Sequence, residues 1–213
     1  MKTFKCVLVL FAFAGLMLVG CSDESQSPIG PSDQSIQSSA SLQKNIIRSF
    51  TGKEGPDVLG FLPPLTLIDP GSSKIVDGNK MISRGMIEQT YFTATFPLDD
   101  PRPDLLSGKG ILELNSNFDI ATGEGFCWGK LTVTPDNPLA LGGVWEISWH
   151  GEMYPGSDPI LGAVIICPLK WVGHGKGGAV NGMQLHSDDI IKYIDPFNWR
   201  GDGGQNCYIK EHK

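Results

Sequence analysis

Gly143-Val144-Trp145-Glu146-Ile147-Ser148-Trp149-His150-Gly151-Glu152 alternates between apolar and polar residues. Trp145, Ile147 and Trp149 fall on one side of an extended chain, and Glu146, Ser148, His150 and Glu152 on the other. Side chains of a strand switch faces at every residue, so this pattern buries one face and leaves the other in water or in a polar lumen.

The same grammar extends in both directions. From about residue 74, short apolar or alternating runs recur, divided by Gly, Pro, Asn and Asp. They predict strands at 80–88, 90–96, 109–117, 126–134, 143–152, 162–172 and 178–186. Asp119-Ile120-Ala121-Thr122-Gly123-Glu124-Gly125 reads as a hairpin loop, and Gly142-Gly143 and Gly177-Gly178 supply further turns. No long stretch carries a 3.6-residue period. One modest helix is expected over 187–194, where Ser187 could cap the segment Asp188-Asp189-Ile190-Ile191. Glycines inside the strands, among them Gly129, Gly151, Gly162, Gly173 and Gly175, mark bends or close backbone approach and suit a curved sheet. The expectation is an all-β domain over residues 46–213, an antiparallel meander closing into a small β-barrel of about eight strands.

Three glycine-rich stretches carry a resemblance. They are Gly108-Lys109-Gly110, Ala121-Thr122-Gly123-Glu124-Gly125-Phe126 with Gly129, and Gly173-His174-Gly175-Lys176-Gly177-Gly178 with Gly182. Together they resemble small calycin-type barrels, above all the allene-oxide-cyclase and dirigent group, over roughly residues 82–186. The resemblance implies the barrel. It implies no catalytic residue, because none of the family's can be matched here.

A second resemblance lies at the N-terminus. Behind Lys2 and Lys5, residues 6–20 are uncharged, and Leu18-Val19-Gly20 leads to Cys21. A spanning helix needs about 20 apolar residues, whereas a secretory core needs about 7–15. The run therefore resembles a bacterial lipoprotein signal peptide over residues 1–20, with cleavage between Gly20 and Cys21 and a lipid thioether on Cys21. Palmitate-type chains on that cysteine would anchor the protein, since two acyl chains hold where one binds marginally. Ser22 fits the outer membrane, and Asp23-Glu24 resembles the surface-export signal of Bacteroidota lipoproteins. Residues 21–45 are rich in Ser, Gln, Asp and Pro and lack aromatics, which predicts a flexible, disordered tether. Within 46–73, the apolar residues Phe50, Val58, Leu59, Phe61, Leu62, Leu65, Leu67 and Ile68 could dock on the core, while Pro63, Pro64 and Pro70 interrupt regular structure.

The 213-residue chain has a net charge of −6, and loss of Lys2 and Lys5 with the signal would take it to −8. Such an acidic chain has no electrostatic reason to bind nucleic acid, and its membrane contact would come from the lipid. Of the cysteines left after processing, Cys127, Cys167 and Cys207 allow at most one intramolecular disulfide, or are all buried thiols. No CxxC, HExxH, GxSxG or phosphate-loop motif is present. His150 and Glu152, two apart on one strand face, could begin a metal site with His174 or His186, but a solvated polar face explains them more simply. Neither metal nor cofactor is expected. Phe126, Trp128, Trp145, Trp149 and Trp171 either line a pocket, stack on sugar rings or fill a core. Asp99, Asp100 and Asp104, among three prolines, read as a rigid exposed loop.

The functional expectation is non-enzymatic binding of a small apolar or amphipathic ligand, or of an envelope partner, with Trp128, Trp145, Trp149, His150 and Glu152 as candidate contacts. The alternatives are a surface glycan or protein interaction module and a barrel isomerase or cyclase.

Overall fold

The structure, a computed structural model, describes residues 45–54, 66–159, 162–195, 198–203 and 206–211. The signal peptide, Gly20, Cys21 and the tether lie outside the described residues, as do Val58, Leu59, Phe61, Leu62, Pro63, Pro64 and Leu65. The protein is all-β. Its strands are β1 (Ile46–Ser49), β2 (Thr51–Glu54), β3 (Thr66–Asp69), β4 (Ser72–Val76), β5 (Lys80–Thr95) and β6 (Gly108–Asp119). They continue with β7 (Gly125–Pro135), β8 (Val144–Asp158), β9 (Gly162–Lys176), β10 (Gln184–Asp195), β11 (Asn198–Gly203) and β12 (Tyr208–Glu211). All pairings are antiparallel.

β5 to β10 form a meander in which each strand pairs with the next. The remaining edge of β5 is covered in turn by β4, β3 and β2, and that of β10 by β12 and β11. β2 meets β11 at Gly201↔Glu54 and Asp202↔Lys53. The sheet is thus nearly closed into a barrel of about nine strands, close to the expected eight.

The alternation of 143–152 resolves as its pattern demands. Trp145, Ile147 and Trp149 are buried, and Glu146, Ser148, His150 and Glu152 are exposed. Inward glycines make room for the large side chains. A Cβ on Gly129 would stand 2.7 Å from Trp149 Cζ2 and 1.8 Å from the Glu113 carbonyl oxygen.

Three expectations change. The runs at 80–88 and 90–96 are one strand, β5, because backbone pairing with β6 continues through Gln89. The run at 178–186 opens instead on a 3-10 turn, Gly178–Val180, since Gly177, Gly178 and Gly182 take positive φ and break the extended chain. The helix over 187–194 does not form. That segment is β10, whose inward row is Leu185, Ser187, Asp189, Ile191 and Tyr193; two buried polar residues in the row disguise its period of two. Residues 97–104 form the rigid, largely exposed loop that was expected, and two aspartates pin it as a clasp. Asp100 accepts from Arg48 Nε at 2.9 Å and Arg102 Nε at 2.8 Å, and Arg48 is itself buried over the Phe96 ring. These cations hold the Asp100 carboxyl well below the usual carboxylate range, the bond from Arg102 contributing most. Asp104 Oδ1 accepts from the backbone N–H groups of Leu106 and Ser107 at 2.8 and 3.0 Å. Of the residues preceding β4, Phe50 docks in the core as expected, whereas Leu67 and Ile68 are exposed.

The clasp closes one barrel end. Leu105 and Leu106 are buried there with Ala140 and Val180, and Trp145 Nε1 donates to the Leu105 carbonyl at 2.8 Å. Among the described residues no helix is long and apolar enough to cross a membrane.

Candidate functional site

The opposite end of the barrel holds a cavity, and a bulge in β5 builds it. Pairing with β6 shifts register between Ser83↔Ser116 and Met86↔Leu114. Gly85 takes φ +67 inside this bulge, a conformation that costs glycine nothing. Its N–H is satisfied by Asn115 Oδ1 at 3.0 Å, and Arg84 Nη1 donates to the Ser116 carbonyl at 2.8 Å. The extra residue switches parity. Met81 and Ser83 face inward before it, and Met86, Glu88 and Thr90 after it.

The cavity encloses about 300 Å³, at the lower end of the roughly 300–1,000 Å³ of small-molecule sites. Its walls are mostly apolar: Met81, Met86, Leu114, Phe118, Met153 and Ile165. The polar exceptions include Glu88, Ser116, Cys127 and Tyr193. Glu88 has no exposed surface, and among the described residues neither of its carboxyl oxygens has a hydrogen-bond partner. Burial raises its pKa to about 7. Deeper in the barrel, both oxygens of buried Glu54 are likewise unpartnered. Burial pushes the Glu54 carboxyl well up, and the negative charges of Asp189 and Glu88 push it further. Tyr193 is pushed up by burial and by the nearby anionic forms of Cys127, Cys167, Glu54 and Glu88, which places all five groups around one interior region.

Cys127, Cys167 and Cys207 are all buried. Cys127 and Cys167 bring their sulfurs to 3.1 Å across β8, where Gly151 has no side chain to separate them. Cys207 lies 3.0 Å from the Ser187 hydroxyl.

The five candidate contacts divide between the two faces of the sheet. Trp145 and Trp149 are core residues. His150 and Glu152 are exposed on the outer face, and Trp128, half-buried, pairs with His150. Phe126 stacks on Trp128 with centroids 5.6 Å apart, and His150 lies 6.2 Å from Phe126. The Arg84 guanidinium covers the Trp128 ring at 4.7 Å, so that outer patch offers a sugar little free aromatic face. Among the described residues no group of three or more His, Cys, Asp or Glu side chains could hold a metal ion. Glu88, Glu54 and Tyr193 did not emerge from the sequence. The one signal that could have found Glu88 is Gly85, a glycine in the interior of a strand, which marks a bulge and therefore a change of facing.

Glu88 couples the cavity to pH. Below about pH 4.5, its ordinary value, the carboxyl is protonated folded and unfolded, and ionisation imposes no penalty. Between about 4.5 and 7 the unfolded chain ionises while the folded one keeps its proton, so the penalty grows; above 7 it is constant. Glu88→Gln is therefore expected to stabilise the protein at neutral and alkaline pH and to change little at pH 4. The gain should be roughly 1–2 kcal/mol, allowing for water in the cavity that screens the charge. Urea titrations of both forms across that range check it.

No family model, curated protein or solved structure matches the chain.

Proposed function

We propose that the barrel holds one small apolar or amphipathic molecule, with its apolar part among Met81, Met86, Leu114, Phe118, Met153 and Ile165. The observation that carries this reading is the apolar cavity with an unpartnered buried carboxyl in its wall. Apolar walls gain about 25 cal/mol for each Å² of ligand and wall surface withdrawn from water, and a few convergent polar groups orient what binds. The test uses the full chain carrying Cys21→Ser, to keep lipid and detergent out of the assay. Titrated with N-phenylnaphthylamine, a neutral fluorescent probe, it should show saturable one-to-one binding. Ser83→Trp, which fills the cavity from its wall, should weaken that binding about tenfold or more by removing apolar contact area. Equal binding by both proteins would place the probe elsewhere and reject the cavity.

A second reading has one observation behind it. A carboxyl with a pKa of about 7 is poised to give and take protons at neutral pH, the property an isomerase or cyclase requires. Mass spectrometry of the protein under native conditions, purified from its host, separates the two. A carried ligand should be recovered chemically unchanged after prolonged incubation, whereas a substrate should be converted.

We further propose that Cys21 is lipidated and tethers the barrel to the cell envelope, at the outer membrane. The lipobox Leu18-Val19-Gly20-Cys21 supports this. Cys21→Ser is expected to abolish lipid attachment and membrane retention, seen as loss of detergent-phase partitioning and loss of the acyl mass. Unchanged partitioning and an unchanged mass would refute it.

A further inference from the structure

The cavity's polar groups have one sign. Among the described residues its lining includes no Lys, Arg or His. Glu88, on β5, shares the cavity wall with Cys127 from β7 and Tyr193 from β10 and feels the charge of Glu54 from β2, while Asp189 from β10 acts on Glu54 and Cys167 from β9 on Tyr193. Each of these is neutral or negative. β6 adds Leu114 and Ser116 to the same lining. A fatty-acid carboxylate brought among these groups would meet no cation and several acids. Among the described residues the four carboxyl oxygens of Glu54 and Glu88 have no hydrogen-bond partner, although a buried polar group left unsatisfied is costly. What that end of the cavity lacks is a donor, and a positive one.

We propose that the cavity selects molecules with an ammonium group at one end of an apolar body, Glu88 serving as the hydrogen-bonding counter-ion. This deepens the ligand-carrier reading and rests on it. An N⁺–H group on the carboxylate makes a charge-assisted bond, about twice as strong as a neutral one. It also relieves the desolvated acid. The bond requires an ionised Glu88. Its pKa of about 7 in the empty cavity means that the preference for an amine grows as pH rises through neutrality, until the amine itself loses its proton near pH 10.

The test compares octylamine, octanol and octanoate by titration calorimetry on the full chain carrying Cys21→Ser. At about pH 8 octylamine should bind about tenfold or more tighter than octanol, the factor one charge-assisted bond contributes, and octanoate should bind most weakly. Glu88→Gln should erase the advantage of the amine over octanol. In the unsubstituted cavity the amine-to-alcohol ratio should shrink at about pH 6, a readout that does not depend on the variant folding well. If octanol binds but octylamine has no advantage, or octanoate matches it, the ammonium selectivity is wrong and the carrier reading survives. If none of the three binds, both are overturned.

Discussion

Replacing Trp145 with Ala is expected to cost about 3–5 kcal/mol, the range for removing a fully buried indole that cannot be refilled by collapse. Trp145 has no exposed surface and stands at the closed end of the barrel. Its Nε1 holds the Leu105 carbonyl at 2.8 Å, so truncation leaves a cavity and an acceptor without its donor. Outward positions further along the same strand provide the contrast. His150→Ala and Glu152→Ala should stay within about ±0.5 kcal/mol, as exposed sites do. Urea denaturation of the three variants, with unchanged m-values as the check on a common unfolded state, measures all of them. A larger loss at His150 or Glu152 than at Trp145 would mean that the barrel is inside out.

Gly129→Val is the second large effect. Gly129 faces inward on β7, opposite Leu114 and Trp149. A Cβ there would fall 1.8 Å from the Glu113 carbonyl oxygen and 2.7 Å from Trp149 Cζ2. The first neighbour is backbone in a paired strand and the second a buried ring, so neither can yield without moving a stave of the barrel. Overpacking usually costs 1–3 kcal/mol, and this site should reach about 3 kcal/mol or more. The mechanism has its own signature. If the clash with Trp149 matters, Gly129→Ala and Trp149→Ala together should be less damaging than the sum of the two, with a coupling of about 0.5–3 kcal/mol. Strict additivity would assign the whole cost to the backbone contact.

These two sites show how far local pattern reaches. The strand at 143–152 was legible because Trp145, Ile147 and Trp149 make its inward row large and apolar while its outward row is polar, so period and facing could be read together; the structure carries it on to Asp158. The strands at 109–117 and 126–134 were legible for a related reason, and the structure extends each by a residue or two at its ends. β10 was not, because its inward row carries Ser187 and Asp189 in a place where a strand normally puts apolar side chains. A locally polar stretch behind a serine looks like a capped helix. Only the neighbours in the barrel, β9 on one edge and β11 and β12 on the other, supply the hydrogen bonds that hold it extended.

By itself, then, the sequence determined the class of fold, the facing of its clearest strand and the turns at 119–125, 142–143 and 177–178. Each depends on interactions between residues a few positions apart, which alternation and glycine placement record directly. The ligand site was decided by tertiary structure alone. Glu88 and Glu54 lie in separate segments, and neither has a neighbour in sequence that marks it as buried. What makes Glu88 a titrating, unpartnered carboxyl is desolvation by walls drawn from several different strands. Desolvation depends on how many atoms surround a group and how little water reaches it, and a linear pattern of residue types does not encode that quantity until the barrel is nearly closed.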